Sequence, residues 1–220
     1  MKNFIKSIIP AQFIRYRAVA NCGKVALTFD DGPQPGTTDV VLDTLSNFNI
    51  KATFFVLGRM VEDNPELSRE IVKQGHEIGN HGYSHKVCPE MTLEEIREEI
   101  DRTDKIVEKV TGVKPAYFRP PEGALSAALL WHLIIQRNQP ATMWSQLIID
   151  ESRKQKNQLI KEFKNMKLKA GDIVLLHDVN EQTAAALPDI LRHIKKQRFA
   201  GVTLTEMLSA NQENTSKQIA

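Results

Sequence analysis

From Lys24 to Leu204 the chain alternates between short apolar runs of β-formers and longer stretches with helical spacing, and this alternation restricts the fold more than any other feature. Lys24-Val25-Ala26-Leu27-Thr28-Phe29 is a β-rich run ended by the turn residues Asp30-Asp31-Gly32-Pro33. Val40, Val41, Leu42, Leu45 and Phe48 form a helical stripe. Ala52-Thr53-Phe54-Phe55-Val56-Leu57 has the unbroken apolarity of a buried strand. Asn64-Pro65 opens a helix that Gly75 stops, and His76-Glu77-Ile78-Gly79-Asn80 is too glycine-broken to be helical. Thr92-Leu93-Glu94-Glu95 is a capping box. The helix it opens repeats Leu93, Ile96, Ile100, Thr103, Val107 and Val110, which predicts one packed face and a solvated charged remainder. Strand–helix pairs follow at 117–118 and 126–137, at 141–145 and 159–166, and at 172–176 and 183–197, and Val202-Thr203-Leu204 closes the series.

With no internal repeat or linker, the expectation is one α/β domain over 23–208, after an extension at 1–22 and before a polar tail at 209–220. About seven strand–helix units favour a parallel barrel or an open doubly wound sheet. In either, chemistry sits at the carboxyl ends of strands. A chain of 220 residues buries enough surface to fold without a disulfide or metal staple. Its 29 basic against 27 acidic side chains offer no broad basic face to a nucleic acid. Two cysteines, Cys22 and Cys88, are too few for a disulfide framework, which leaves six histidines as the residues to explain.

The first twenty residues carry Lys2, Lys6, Arg15 and Arg17 and no acid. The apolar stretch at 7–14 is interrupted by Pro10, and Arg15 and Arg17 before Ala18-Val19-Ala20 oppose signal cleavage. The extension is therefore expected to stay attached, packed on the domain or, over residues 2–17, in peripheral contact with a membrane. No run of about 18 apolar residues is present to span a bilayer, so the expected location is cytoplasmic or membrane-peripheral in a bacterium.

The chemistry-bearing residues fall just after strands. Asp30 and Asp31 follow the first, and adjacent carboxylates on an extended chain point different ways and can take different roles, although Asp-Gly-Pro is also ordinary turn material. His81 and His85 follow the third strand-like piece. An i, i+4 pair converges on one metal if the segment is one helical turn, and two histidines with one carboxylate make a three-ligand site with open positions. Cys88 is either a fourth ligand or a small core side chain. Arg119-Pro120-Pro121-Glu122-Gly123 is a loop stiffened by proline, in which Gly123 permits a close approach to a ligand. His177 ends the apolar strand Ile173-Val174-Leu175-Leu176 and is suited to proton transfer. His132 and His193 lie in helical patterns and read as structural or surface residues, and His76 as a strand-end hydrogen-bonding residue.

Together these motifs resemble the NodB-type polysaccharide deacetylases, carbohydrate esterase family four. Thr28-Phe29-Asp30-Asp31-Gly32-Pro33 matches the first family motif, His81-Gly82-Tyr83-Ser84-His85 the second, Arg119-Pro120-Pro121-Glu122-Gly123 most of the third, and Leu175-Leu176-His177 the fifth. The resemblance implies a distorted (β/α)7 barrel in a single domain and one divalent metal, zinc before cobalt, manganese or nickel. It assigns Asp31, His81 and His85 as metal ligands, Asp30 as general base, His177 as general acid and Arg119 as the partner that orients Asp30. Leu175 becomes part of the acetyl pocket, with Pro120, Glu122, Gly123 and Trp144 as further substrate contacts. Hydrolysis of an amide needs an activated water, a held oxyanion and a proton for the leaving amine. The implied metal, a backbone N–H near Glu122, Asp30 and His177 would supply these.

The fourth motif departs from the family. Trp144-Ser145 aligns, but Leu147 stands where an Asp holds the arginine, which leaves Glu122 or Asp150 to pair with Arg119, or a less well tuned base. The leading expectation is a metal-dependent hydrolase removing N-acetyl groups from an amino-sugar glycan (chitin-like, peptidoglycan, exopolysaccharide or a lipid-linked precursor). A catalytically weakened sugar-binding module of the same fold is the second. A non-haem iron oxygenase, which also uses two histidines and a carboxylate, is the third, and the strand–helix alternation argues against it.

Overall fold

A computed structural model describes residues 13–18, 23–148 and 154–209. The basic extension at 1–12 and 19–22, the tail beyond Ser209, Cys22 and Asp150 lie outside the described residues. In chain order the elements are β1 (Ile14–Arg15), β2 (Lys24–Asp30), α1 (Thr38–Phe48), β3 (Thr53–Val56), α2 (Gly58–Asp63), α3 (Pro65–Lys73), β4 (Glu77–Asn80), α4 (Leu93–Thr111), α5 (Ala127–Trp131), β5 (Ala141–Thr142), β6 (Gln146–Leu147), α6 (Lys156–Asn165), β7 (Ile173–His177), α7 (Glu181–Lys196) and β8 (Ala200–Val202). The strands pair in parallel in the order β4-β3-β2-β7-β6, and β8 runs beside the start of β2.

The ring closes irregularly. Phe118 bridges Asn80 on one side and Ala141 on the other. The chain from 141 to 148 then bonds to Phe118 at its start and to β7 from Ser145 onward. The strand expected at 117–118 shrinks to this single bridging residue because Pro115, Pro120 and Pro121 surround it and supply no N–H to a ladder. Residues 14–18 belong to the folded unit. β1 pairs with β5, Ile14 and Ala18 are buried, and Arg17 forms an ion pair with buried Asp172. No described helix is long and apolar enough to cross a membrane.

Side-chain alternation sorts the strands into two faces. Val25, Leu27 and Phe29 of β2, Phe54 and Val56 of β3 and Val174 and Leu176 of β7 pack outward into one cluster with Val41, Leu45, Leu187 and Ile190 of the surrounding helices. The alternate residues Ala26, Thr28 and Asp30, Thr53 and Phe55, and Ile173, Leu175 and His177 therefore face the barrel interior. Burial on both faces explains why these strands read as unbroken apolar runs rather than alternating ones.

The capping box at Thr92 and Glu95 forms as the sequence predicts, and Gly112 ends α4. His76 lies just before β4 and is 5% exposed. Its Nδ1 accepts the Ala52 N–H at 3.1 Å, and burial, reinforced by Lys51, lowers its pKa to about 4. An unfolded histidine binds a proton near pH 6.5, so the unfolded state gains protons first and stability falls as pH drops from about 6.5 to about 4. His76→Asn keeps an acceptor near Nδ1 and removes the titration. Urea unfolding at pH 7.5 and 4.5 should show a smaller loss of stability in the variant than in the parent chain.

Candidate active site

The site is assembled where β2, β4 and β7 end. Asp30 is the last residue of β2, faces the interior, and lies opposite His177 in the β2–β7 ladder. Asp31 follows with a left-handed φ of 78°, its N–H donating to the Phe55 carbonyl at 3.2 Å. The two carboxylates diverge, as the extended chain predicts. Asp30 points to Arg119 and Asp31 to the histidines.

His81 leaves β4 and is buried, whereas His85 is about a third exposed. The segment between them is not the helical turn that the i, i+4 spacing requires. Gly82 and His85 both adopt left-handed φ, of 84° and 67°, and an irregular loop brings the two rings to 5.3 Å. Side chains behind the loop hold it. Asn80 Oδ1 accepts the Gly82 N–H, while its Nδ2 donates to the Ile100 carbonyl and to Asp104. Glu99 accepts the N–H groups of Tyr83 and Ser84 and the Ser84 hydroxyl, each at 2.7–2.8 Å. The charged remainder of α4 is therefore not simply solvated, because Glu99 and Asp104 turn toward the histidine loop. Asn80 and Glu99 were not legible as site residues in the sequence. The Asn80-His81 adjacency was visible, but the contact to a helix 20 residues away was not.

His81 Nδ1 lies 2.8 Å from the Arg119 carbonyl. A carbonyl only accepts, so Nδ1 carries the hydrogen and Nε2 presents its lone pair. Burial lowers the His81 pKa to about 3, which keeps the ring neutral. Its Nε2 lies 3.5 Å from Asp31 Oδ1, and His85 Nε2 lies 3.3 Å from the same oxygen. That oxygen is buried without a hydrogen-bond partner among the described residues. Electron-pair donors converging on one point without a proton between them repel unless a cation lies there. Asp31, His81 and His85, with ligand atoms within 4.8 Å of one another, are the three-donor cluster among the described residues, and their chemistry fits a divalent metal.

Arg119 is fully buried inside the barrel. Its Nη1 donates to Asp30 Oδ1 at 2.6 Å and to Thr28 Oγ1 at 2.9 Å, Nη2 donates to the Met143 carbonyl at 3.1 Å and Nε to the Thr142 carbonyl at 3.4 Å. The guanidinium lies 4.0 Å from the Phe55 ring centroid. Burial pushes the Asp30 pKa up, opposed by Arg119 and His177, and a raised carboxylate pKa makes a stronger base. Glu122 does not pair with Arg119. It is exposed, with a φ of 55°. Backbone carbonyls and Thr28 satisfy the donors that Leu147 leaves without a second carboxylate, and Asp150 lies outside the described residues.

Pro120 is buried beside Arg119. The close approach at Gly123 is to Trp144 rather than to open space: a Cβ at this φ of 64° would lie 2.6 Å from the indole. Trp144 in turn lies 5.8 Å from Arg119, and Leu175, 3% exposed, pairs with Leu147 in the sheet. Cys88 packs with Ile96, Ile100 and Phe118, and burial pushes its thiol up to about 11, which makes it a core side chain rather than a ligand. His132 is buried with Nδ1 against Gln136, and His193 packs edge-on to Phe163, so neither joins the site.

Fold and site together define a parallel α/β barrel with a two-histidine, one-carboxylate metal-type centre at the carboxyl ends of its strands. This is not the antiparallel frame expected of the iron oxygenase reading. A family model described as polysaccharide deacetylase matches residues 18–135, and the chain belongs to that family. The chain is 32% identical over 195 residues to the peptidoglycan-N-acetylmuramic acid deacetylase PdaC of Bacillus subtilis, covering 88% of this chain but only 40% of that protein. It is 35% identical over 209 residues to a peptidoglycan-N-acetylglucosamine deacetylase of Bacillus cereus, covering 92% of this chain and 96% of the relative. The crystal structure of a family-four pseudoenzyme from Bacillus anthracis superposes with a TM-score of 0.81 at 29% identity, over 88% of this chain and 68% of that one. The family match ends before β7, so the position of His177 rests on strand register: it lies opposite Asp30, with Nε2 3.9 Å from Asp31 Oδ2.

Removing one member of the buried ion pair leaves a charge uncompensated. Arg119→Met should cost about 3–5 kcal/mol in urea unfolding of metal-free protein, and Asp30→Asn in the same chain should recover part of that loss.

Proposed function

We propose that this chain is a metal-dependent hydrolase that removes N-acetyl groups from an amino-sugar glycan, with peptidoglycan the favoured substrate. The observation that carries the reading is the convergence of Asp31, His81 and His85 with Asp30 and His177 beside them. Asp30 Oδ2 lies 3.7 Å from His81 Nε2, and His177 Nε2 lies 3.9 Å from Asp31 Oδ2. The substrate class is supported by the relatives above, both of which are named as peptidoglycan deacetylases.

Asp31, His81 and His85 would hold the metal, zinc being favoured for an imidazole–carboxylate set. When bound, a divalent cation polarises the carbonyl and acidifies water. Asp30 accepts the proton of the attacking water. Arg119 keeps the Asp30 carboxylate in one rotamer and preferentially ionised, and desolvation inside the barrel strengthens the base. His177, the register partner of Asp30, donates a proton to the leaving nitrogen. That division lets one residue take a proton while the other gives one, without either turning over during the step. Leu175 and Trp144 would serve as apolar walls for an acetyl methyl and a sugar face, and a backbone N–H near Glu122 would hold the developing oxyanion.

A catalytically weakened sugar-binding module is the second reading, favoured by Leu147 in place of the family's Asp and by the likeness to a pseudoenzyme. Acetate release separates the two. Metal-loaded protein should release acetate from N-acetylglucosamine oligomers or peptidoglycan, Asp30→Asn should reduce the rate by about 10²-fold or more, and a chelator should abolish it. Glycan binding without acetate release under Zn²⁺, Co²⁺ or Mn²⁺ would establish the module instead.

A further inference from the structure

Asp178, the residue after His177, is fully buried and takes no part in the chemistry above. Because Asp30 and His177 are paired in a parallel ladder, Asp31-Gly32 and Asp178 leave the sheet side by side. Asp178 Oδ2 accepts the Thr38 hydroxyl at 2.5 Å, and Thr38 Oγ1 accepts the Gln34 N–H at 2.8 Å. The carboxylate is packed directly against the Gly32 backbone: a Cβ there would lie 2.1 Å from Oδ2 and 2.6 Å from Oδ1. A side chain at position 32 would therefore collide with the Asp178 carboxylate.

The turn this carboxylate touches carries Asp31 at a φ of 78°, a conformation that an L-residue keeps only when its surroundings impose it. On the β3 side the constraint comes from the backbone, with Asp31 N–H bonded to Phe55 O and Leu57 N–H to Gly32 O. On the β7 side it comes from Asp178 and Thr38. Asp178 Oδ1 finds no hydrogen-bond partner among the described residues, so a carboxylate here weakens the fold relative to a fully satisfied or apolar side chain. Its contribution is to placement.

We propose that Asp178 is a positioning residue for the metal centre. Clamped between Thr38 and Gly32, it holds the Asp31 turn so that the Asp31 carboxylate meets His81 and His85. The inference rests on the metal-site reading and concerns binding, so it can be tested without turnover. Metal-free protein is titrated with Co²⁺ alone and followed by its visible d–d absorption, with near-UV circular dichroism and the unfolding midpoint of each metal-free form recorded alongside. Asp178→Ala should weaken Co²⁺ binding by about tenfold or more. Thr38→Val, which keeps shape and removes the hydroxyl, should weaken it by a smaller factor. Asp178→Asn, which keeps an acceptor for Thr38, should restore binding to within about threefold and return the spectrum of the parent chain. Parent-like affinity in both Asp178→Ala and Thr38→Val would overturn the inference. So would affinity loss accompanied in both variants by loss of the near-UV signal, since Asp178 would then be a folding residue. If Asp178→Ala does not fold, Thr38→Val decides alone, weaker binding supporting the role and unchanged binding overturning it. A parent chain that binds no Co²⁺ would instead remove the metal reading and this inference with it.

Discussion

A guanidinium with no exposure to water sits inside this barrel, and the staves are arranged around it. Arg119 needs acceptors for its donors in a place where water supplies none. They come from different parts of the chain: Thr28 and Asp30 on β2, and the carbonyls of Thr142 and Met143 on the run that closes the ring, with Phe55 of β3 beneath the plane. Burying both members of an ion pair is costly, and the pair persists only when the geometry is good and the remaining hydrogen bonds are made. The same carbonyl that leads the chain out of Arg119 takes the His81 Nδ1 hydrogen. One residue thus ties the candidate base, the ring closure and the orientation of a metal ligand together.

Parallel register turns that anchor into a site. Strands that run the same way end on the same side, so Asp30, His81 and His177 emerge at one mouth although they are far apart in the chain. The inward-facing residues of β2 and β7 are Thr28 and Asp30 opposite Leu175 and His177, which places the polar chemistry at the ends and apolar packing deeper in. Behind the mouth, α4 has a second role. Its apolar face packs, and Glu99 and Asp104 hold the histidine loop in a shape that Gly82 and His85 reach only with left-handed backbone.

The strand and helix order was legible because each segment carries a local signal: unbroken apolarity for strands buried on both faces, and a cap or a glycine stop for helices. Asp30, Asp31, His81, His85, Arg119 and His177 were legible because each follows such a segment and sits in a motif. The conformation joining the histidines was not. An i, i+4 spacing suggests a helical turn, and the loop that replaces it depends on side chains from α4. Arg119 shows the same limit, since its local sequence offered Glu122 as a partner while the acceptors came from backbone carbonyls more than twenty residues away.

By itself the sequence determined the strand–helix alternation, the residue types able to bind a metal and move protons, and their place at strand ends, because these depend on periodicity and side-chain chemistry. Tertiary structure alone decided the shape of the loop that joins the histidines, which histidine nitrogen is presented, and why Gly32 and Gly123 admit no side chain. Those outcomes depend on contacts across the barrel, where Asp178 fills the space beside Gly32 and Trp144 the space beside Gly123. Such contacts exist only once distant strands have closed around a common interior, and no local pattern encodes which residue arrives there.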